Sequence, residues 1–433
     1  PMWLQVYLFV APLLAALVFR TLSKPFPKVR RPSGADVVLP KKSGRGHVLV
    51  PMQLANVNPF YNRTRDLPLG ERLKISVMAV TLFPIRIVGA IGSLLLACVV
   101  AKISILGLSD KQLEDPLSTW RQWLRTPVFW LSRLFLWFLG FLHLRVHGAP
   151  APRHAAPIVV ANHSSFMDIA LVPILHCCAV SKSENGRIPL IGALSRALQV
   201  IFVDRGSHDS RTAVVQALRR RAMDHRFPRT LIFPEGTATN GSVIATFKNG
   251  AFLPGVPVQP VAVRYQFTKC DPSYVRGGPG LGGLVLRLAC QMYNRMEITF
   301  LPPYAPSEAE RADASLFASN VRARLAAELG VPMTRHSFDD VRLMTEARRL
   351  HLPPDVGAVE FGGVRAALPV TIEQTTALMR RFSEMDAKHS GLLERDQFVA
   401  ALRRLGSKLS EQELARLFVV LDQDESGTLN FTE

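Results

Sequence analysis

Cysteine is scarce in this sequence. The five cysteines (Cys98, Cys177, Cys178, Cys270, Cys290) are odd in number and scattered, so they lay out neither a disulfide framework nor a metal-ligand spacing. That usage fits a reducing compartment. Acidic residues are also few: 34 Asp and Glu against 52 Lys and Arg, a net charge of +18. A basic surface meets nucleic acid or an anionic membrane face. No zinc finger, RNA-recognition signature or basic-region helix is present, so nucleic acid is set aside as a partner and the membrane bilayer leads. The G-x-S-x-G elbow of serine thioesterases is missing as well. No solenoid repeat runs through the chain, although a two-copy pattern appears near the end.

Apolar residues are plentiful, at 48% of the 433 residues, which is room for two to three domains. Met2 to Phe19 is almost wholly apolar and about 18 residues long, near the minimum for one membrane crossing. A cleaved signal peptide is the alternative, but the basic leader and small-residue cleavage site are missing. Arg20, Lys24, Lys28, Arg30 and Arg31 follow, and the positive-inside rule makes that flank cytoplasmic. Residues 23–69 are Pro-rich, polar and irregular in pattern. Ile75 to Val100 is a second apolar stretch, interrupted by Pro84 and Arg86. A helix breaker and a costly mid-bilayer charge point to a re-entrant hairpin or, equally, to one kinked helix. Val128 to Leu144 is aromatic and basic. It fits an interfacial helix or a core helix of the next domain.

From Gly148 to about Gly330 short apolar runs alternate with amphipathic ones, the texture of an α/β domain. Predicted strands are Pro157–Ala161, Val200–Val203, Leu231–Phe233 and Val258–Tyr265, with a basic helix at Arg211–Met223. The first strand ends in Asn162-His163-Ser164-Ser165-Phe166-Met167-Asp168. On an ideal helix His163 and Asp168 would sit about 140° apart. They meet only if His163 lies in the turn and Asp168 in the first turn of a helix capped by Ser164 or Ser165. Such a pair suits general-base work, because the carboxylate fixes the imidazole tautomer and leaves the other nitrogen to take a proton.

Three further motifs follow. Phe202-Val203-Asp204-Arg205 offers a guanidinium for a phosphate. Phe233-Pro234-Glu235-Gly236-Thr237 puts a carboxylate and a hydroxyl on a tight turn, with Lys248 as a nearby cation. Val256-Pro257-Val258-Gln259-Pro260-Val261 is a stiff apolar block. Each alone reads equally as a surface ion pair, an ordinary turn or an edge strand. Asn62, Asn162, Asn240 and Asn430 each fit the glycosylation sequon, although nothing else argues for secretion.

Together, in this order within about 100 residues, the four blocks resemble those of the glycerolipid (PlsC-like) acyltransferase family. The Thr81–Arg86 segment, Asp209-Ser210-Arg211, Thr246-Phe247-Lys248 and the tail are similar to its lysophosphatidylcholine acyltransferase branch. Two departures stand out: Asn162 replaces a proline before the histidine, and Ala238 replaces a cysteine. The resemblance implies an α/β acyltransferase domain with a mixed sheet flanked by helices, N-terminal membrane-associated helices and a C-terminal all-α EF-hand module. It implies acyl transfer from acyl-CoA, the co-substrate, to a lysophospholipid hydroxyl. His163 would be the base and Asp168 its orienting acid, with backbone amides of the His163 turn at the oxyanion. Phe202, Arg205, Glu235, Gly236, Thr237, Lys248 and Pro257 would contact substrate. An endoplasmic reticulum membrane is implied, with Golgi or lipid droplet as alternatives and the catalytic domain facing the cytosol. A 1-acylglycerol-3-phosphate acyltransferase and a calcium-responsive scaffold with an inactive domain are the competing readings.

In the tail, Leu378, Phe382 and Met385 fall on one helix face ahead of a loop from Asp386 to Gln397. Leu414, Leu417, Phe418 and Leu421 lead to a second loop from Asp422 to Glu433, a spacing that suits paired EF-hands. The second loop fits calcium: Asp422, Asp424 and Ser426 as ligands, Gly427 at the turn, Thr428 through its carbonyl, Asn430 through water and Glu433 bidentate. In the first, Lys388 replaces an oxygen ligand and Gln397 the closing glutamate, which predicts a metal-free loop. The expected organisation is an anchor and linker (1–70), membrane-embedded or re-entrant helices (71–147), the acyltransferase domain (148–330), a linker (331–370) and the EF-hand pair (371–433), with the last hand continuing past the end of the sequence.

Overall fold

The computed structural model describes residues 2–23, 58–64, 66–188, 191–204, 208–404, 406–422 and 425–431. They divide into two units, 60–333 with the N-terminal helix, and 334–431. Most of the predicted irregular segment 23–69 (residues 24–57 and 65), together with Arg205, Asp424 and Glu433, lies outside the described residues.

The first unit is built on one sheet. Its strands are β1 (His143–His147), β2 (Ile158–Ala161), β3 (Cys177–Lys182), β4 (Ile201–Val203), β5 (Arg229–Ile232), β6 (Val258–Gln266) and β7 (Arg295–Phe300), in the order β1-β7-β6-β2-β5-β3-β4. Every pairing is parallel except β6 with β7. Central β2 is buried on both faces, the burial expected of a parallel strand covered by helices. Val159 and Ala161 pack into one core layer with Leu171, Val261 and Ile298. Ile158 and Val160 enter the other, with Leu218, Phe252 and Phe317. The alternation of a strand thus divides four consecutive apolar residues between two layers.

The four predicted strands are all present. β1, β3 and β7 were not anticipated, and β1 starts before the expected domain boundary at 148. The apolar stretch Val128–Leu144 is two elements. A helix, Thr126–Phe138, buries Val128, Ser132 and Leu136. The chain turns at Gly140, whose φ of 91° suits glycine, and enters β1.

Residues Leu69–Ser104 form one continuous helix that contains Pro84, not a hairpin. Arg86 explains how a cation is tolerated there. Its guanidinium donates to the carbonyls of Ala289 (2.9 Å), Gln291 and Met292 (2.9 Å). The first is the last residue of the helix Leu281–Ala289, so Arg86 satisfies carbonyls that a helix end leaves orphaned. The opposite face exposes Ile85, Val88, Leu95, Leu96 and Val99. Among the described residues this is the one helix long and apolar enough to cross a membrane; Val10–Leu22 is a shorter apolar helix.

In the second unit the expected linker is structured. The helix Phe338–Arg349, a short turn at Pro354–Gly357 and the helix Phe361–Ala367 share a core with the helices Ile372–Met385, Arg395–Arg404 and Glu411–Leu421. Two short strands, β8 (Leu393–Glu394) and β9 (Thr428–Leu429), pair antiparallel.

Candidate active site

β2 delivers His163 to the carboxyl-terminal edge of the sheet, where open α/β sheets place ligands. Asn162 holds the position. Its side-chain amide donates to Val263 O (2.9 Å) and accepts from Val263 N (2.8 Å). It extends the β2–β6 ladder one step past the last paired residue, a service a proline at this position could not perform. The next turn is fastened by Asp168. Ser165 caps the short helix Phe166–Ala170, and Asp168 closes a capping box. Its Oδ2 accepts from Ser164 N (2.8 Å), Ser165 N (3.0 Å) and His163 Nδ1 (2.8 Å). Its Oδ1 accepts from the Tyr265 hydroxyl. Asp168 is fully buried, and the His163 side chain keeps 29% of its surface open.

These contacts settle the tautomer. A carboxylate with this donor set only accepts, so Nδ1 carries the proton and Nε2 presents a lone pair. Among the described residues Nε2 has no hydrogen-bond partner. The ring stacks on Phe233 at 4.6 Å between centroids, tilted 28°. This geometry leaves one ring nitrogen able to accept a proton.

Tyr265 was not anticipated. It lies 97 residues from Asp168 in sequence, inside an apolar strand, and only the β2–β6 pairing brings the two together. Burial first, then the Asp168 charge, pushes its phenol well above the usual tyrosine range, so it remains a donor.

Glu235 has a different place from the one expected. It is 1% exposed, and its two oxygens accept from His163 N (2.8 Å) and Ala245 N (3.1 Å). Burial raises its pKa to about 7 against the opposing effect of those amides. It ties the His163 turn to Ala245. His163 N is thus engaged by Glu235, and Ser164 N and Ser165 N by Asp168. Thr237 differs: among the described residues its N–H and hydroxyl have no partner. Gly236 adopts φ 67°, and a methyl there would stand 2.9 Å from Lys248 Cε and 3.1 Å from Nζ. Lys248, tied by its N–H to Pro234 O (2.9 Å), therefore lies over this turn.

Two predicted residues do not converge on His163. Pro257 precedes β6, and the register pairs Val258 with Ile158; it sits at the opposite edge of the sheet. Phe202 is on edge strand β4, three strands from β2 or about 14 Å at the usual spacing, with its ring against Gly186. Asn62, Asn162 and Asn240 are 4%, 4% and 6% exposed and hydrogen-bonded, so these three sequons offer no acceptor for a glycan.

In the second unit both loops carry the EF-hand backbone. Gly391 and Gly427 adopt φ of 78° and 75°, and β8 pairs with β9 across the loops. In the second loop Asp422 Oδ2 accepts from Gly427 N (2.8 Å) and Oδ1 from Ser426 N (2.9 Å), while Ser426 Oγ donates to Thr428 O (2.9 Å). Oxygens of positions one, five and seven are gathered, a donor set for a hard cation. The first loop gathers the same oxygens, with Asp386 Oδ2 accepting from Gly391 N (2.6 Å) and Ser390 Oγ donating to Leu392 O (3.0 Å), but at positions three and nine Lys388 Nζ pairs with Glu394 at 2.7 Å, and Gln397 Oε1 accepts from Glu394 N (2.9 Å).

A family model described as Acyltransferase matches residues 143–264, and one described as an EF-hand domain pair matches 375–433. Human lysophosphatidylcholine acyltransferase 1 is 35% identical over 382 residues, 87% of this chain and 70% of that protein. The Danio rerio protein of the same name is 40% identical over 75% of this chain and 62% of its own length. Lysophospholipid acyltransferase LPEAT2 of Arabidopsis thaliana is 34% identical over 87% and 69%. The crystal structure of the 1-acyl-sn-glycerophosphate acyltransferase PlsC from Thermotoga maritima aligns with a TM-score of 0.40 at 21% identity, covering 59% of this chain and 98% of that one. A mixed sheet with a His–Asp pair at its carboxyl edge, followed in sequence by an EF-hand pair, defines with these matches an acyltransferase enzyme. The chain belongs to the PlsC-like glycerolipid acyltransferase family, in its lysophosphatidylcholine acyltransferase branch with C-terminal EF-hands.

Proposed function

We propose that this chain transfers a fatty acyl group from acyl-CoA to the free hydroxyl of a lysophospholipid, lysophosphatidylcholine foremost, with His163 as general base. The observation that carries the reading is the 2.8 Å contact of His163 Nδ1 with buried Asp168, which leaves Nε2 open. Nε2 takes the proton of the lipid hydroxyl as its oxygen attacks the thioester carbonyl. The tetrahedral intermediate collapses, the C–S bond breaks, and the imidazolium returns the proton to the departing thiolate, giving the acylated lipid and CoA. Asp168 stabilises the imidazolium while it exists. Thr237 supplies unpartnered donors for the oxyanion or the headgroup, and Lys248 supplies a cation over the same turn.

His163→Ala should lower acyl transfer at least ~100-fold, measured with labelled acyl-CoA and a panel of lysolipids in detergent. Activity within a few-fold of the parent protein would end the mechanism. Lysophosphatidic acid in the same panel tests the 1-acylglycerol-3-phosphate reading. The relatives in this branch and the open Nε2 favour an active enzyme over a retired scaffold. Calcium is proposed for the second loop alone, held by Asp422, Asp424, Ser426, the Thr428 carbonyl, Asn430 through water and Glu433. The apolar face of Leu69–Ser104 supports association with a bilayer, which we place at the endoplasmic reticulum with the site on the cytosolic side.

A further inference from the structure

We propose that Arg63 is an anion-binding residue on the rim of the His163 site and receives a substrate phosphate. The assignment rests on the acyl-transfer reading for the identity of that substrate. Arg63 belongs to a short strap, Phe60–Thr64, that crosses the carboxyl-terminal edge of the sheet. Gly277 N donates to Phe60 O (2.8 Å). Asn240 Nδ2 donates to Tyr61 O (2.8 Å), and Asn62 Nδ2 to the carbonyls of Asp271 (3.0 Å) and Ser273 (3.1 Å). Asp271 Oδ2 accepts from Arg63 N (2.7 Å), and Asp271 N donates to Thr64 Oγ1 (2.7 Å).

The two loops that hold the strap are the loops that hold the catalytic turn. Thr239 N donates to His163 O (2.9 Å) and Tyr274 N to Ser164 O (2.9 Å), while Ser165 Oγ donates to Pro272 O (2.7 Å). The strap is therefore fixed relative to His163 through one loop on each side. A structural role alone would need only these backbone and Asn62 contacts; the Arg63 side chain does something else.

Its Nη2 donates to Asn240 O (2.6 Å), and the guanidinium lies over the Phe267 ring, 5.5 Å from the centroid. Among the described residues its other N–H groups have no hydrogen-bond acceptor. Asp271, the neighbouring carboxylate, is already engaged by the amides of Arg63 and Ser273. A methyl placed on Gly241 would stand 3.5 Å from Ser164 Oγ and 3.8 Å from Arg63 Nη2. One glycine thus separates the guanidinium from the residue next to the base. A planar fork pinned at one nitrogen and stacked on an aromatic ring is pre-organised, and its open edge matches a phosphate. Both substrates carry one: the phosphodiester of the lysolipid and the phosphates of CoA.

The experiment compares Arg63→Gln and Arg63→Lys with the parent protein in detergent. KM is measured for lysophosphatidylcholine against monoacylglycerol, and for acyl-CoA against acyl-pantetheine, alongside equilibrium binding of lysophosphatidylcholine and of CoA. Arg63→Gln should raise KM and Kd about tenfold for the partner whose phosphate it holds, leave the phosphate-free analogue within twofold, and keep Tm. Arg63→Lys should recover part of the loss. A rise with lysophosphatidylcholine assigns the acceptor phosphate, and a rise with CoA the donor's. Binding of both unchanged in Arg63→Gln, or an equal loss on the phosphate-free analogues, overturns the proposal. Absence of turnover in the parent protein would sink the acyl-transfer reading alone, because the binding comparison still decides Arg63.

Discussion

Four donors converge on one carboxylate in this site, and the chemistry expected of His163 follows from that. Asp168 receives three N–H groups on Oδ2 and the Tyr265 hydroxyl on Oδ1. Tyr265→Phe removes the Oδ1 donor and leaves a fully buried oxygen unsatisfied. The carboxylate is then held by three donors instead of four and fixes the His163 ring less well. The expected result is a fall in kcat of about tenfold with KM within twofold. A Tyr265 that only packs would lower Tm and leave kcat in place. Glu235 makes a separate prediction through stability. Its pKa is raised by burial from 4.5 to about 7 in the folded chain, so between those values the native state holds a proton that the unfolded state has released. That contribution is fully present below pH 4.5 and is lost as pH rises through 7. In Glu235→Gln it is absent. The Tm of the parent protein relative to the variant should therefore decline as pH rises across this window, in a scan by differential calorimetry. A flat difference would contradict the burial argument.

Elements differ in how far the sequence alone reveals them. β2, β4, β5 and β6 are legible because each is an apolar run closed by polar or Gly residues. β1 (His143–His147) is an alternating polar segment hidden behind an aromatic helix, and β3 begins with two cysteines; neither advertises a strand. The His163–Asp168 pair is legible because both partners lie in one turn. Tyr265 and Arg63 are not, since strand order and loop lacing, which act over long sequence separations, create their contacts. The position of Pro257 is illegible for a related reason: a motif gives chain order but not which edge of a sheet a residue occupies. The long helix was ambiguous because Pro84 and Arg86 look like interruptions until the carbonyls of 289–292 are placed opposite Arg86. The same helix packs closely on Thr126–Phe138 at Gly89, where an added Cβ would lie 2.2 Å from the Phe138 ring. Gly89→Val should force these helices apart and destabilise the fold by about 1–3 kcal/mol, seen as a lower Tm in detergent. An unchanged Tm would mean that the two helices do not pack as described.

On the scale of the whole molecule, the formal charge of +18 and the single apolar face of Leu69–Ser104 suit the proposed association with an anionic bilayer and the phosphate-bearing substrates proposed above. The EF-hand pair adds a cation to this picture, and its two loops make unequal use of the same backbone. Position three of the first loop is Lys388, paired with Glu394, and no divalent ion displaces a covalently tethered ammonium at a ligand position without leaving a like charge beside it. Among the described residues of the second loop, Asp422, Ser426 and the Thr428 carbonyl bring oxygens together with no ammonium beside them. Titration calorimetry should therefore give one calcium per chain. Asp422→Ala removes the position-one ligand and the acceptor for Gly427 N, and should abolish uptake. Lys388→Ala should leave the stoichiometry at one, because Gln397 still lacks the bidentate carboxylate that closes a calcium loop. Two ions in the parent protein, or uptake that survives Asp422→Ala, would transfer the binding to the first loop and contradict the role assigned to its ion pair.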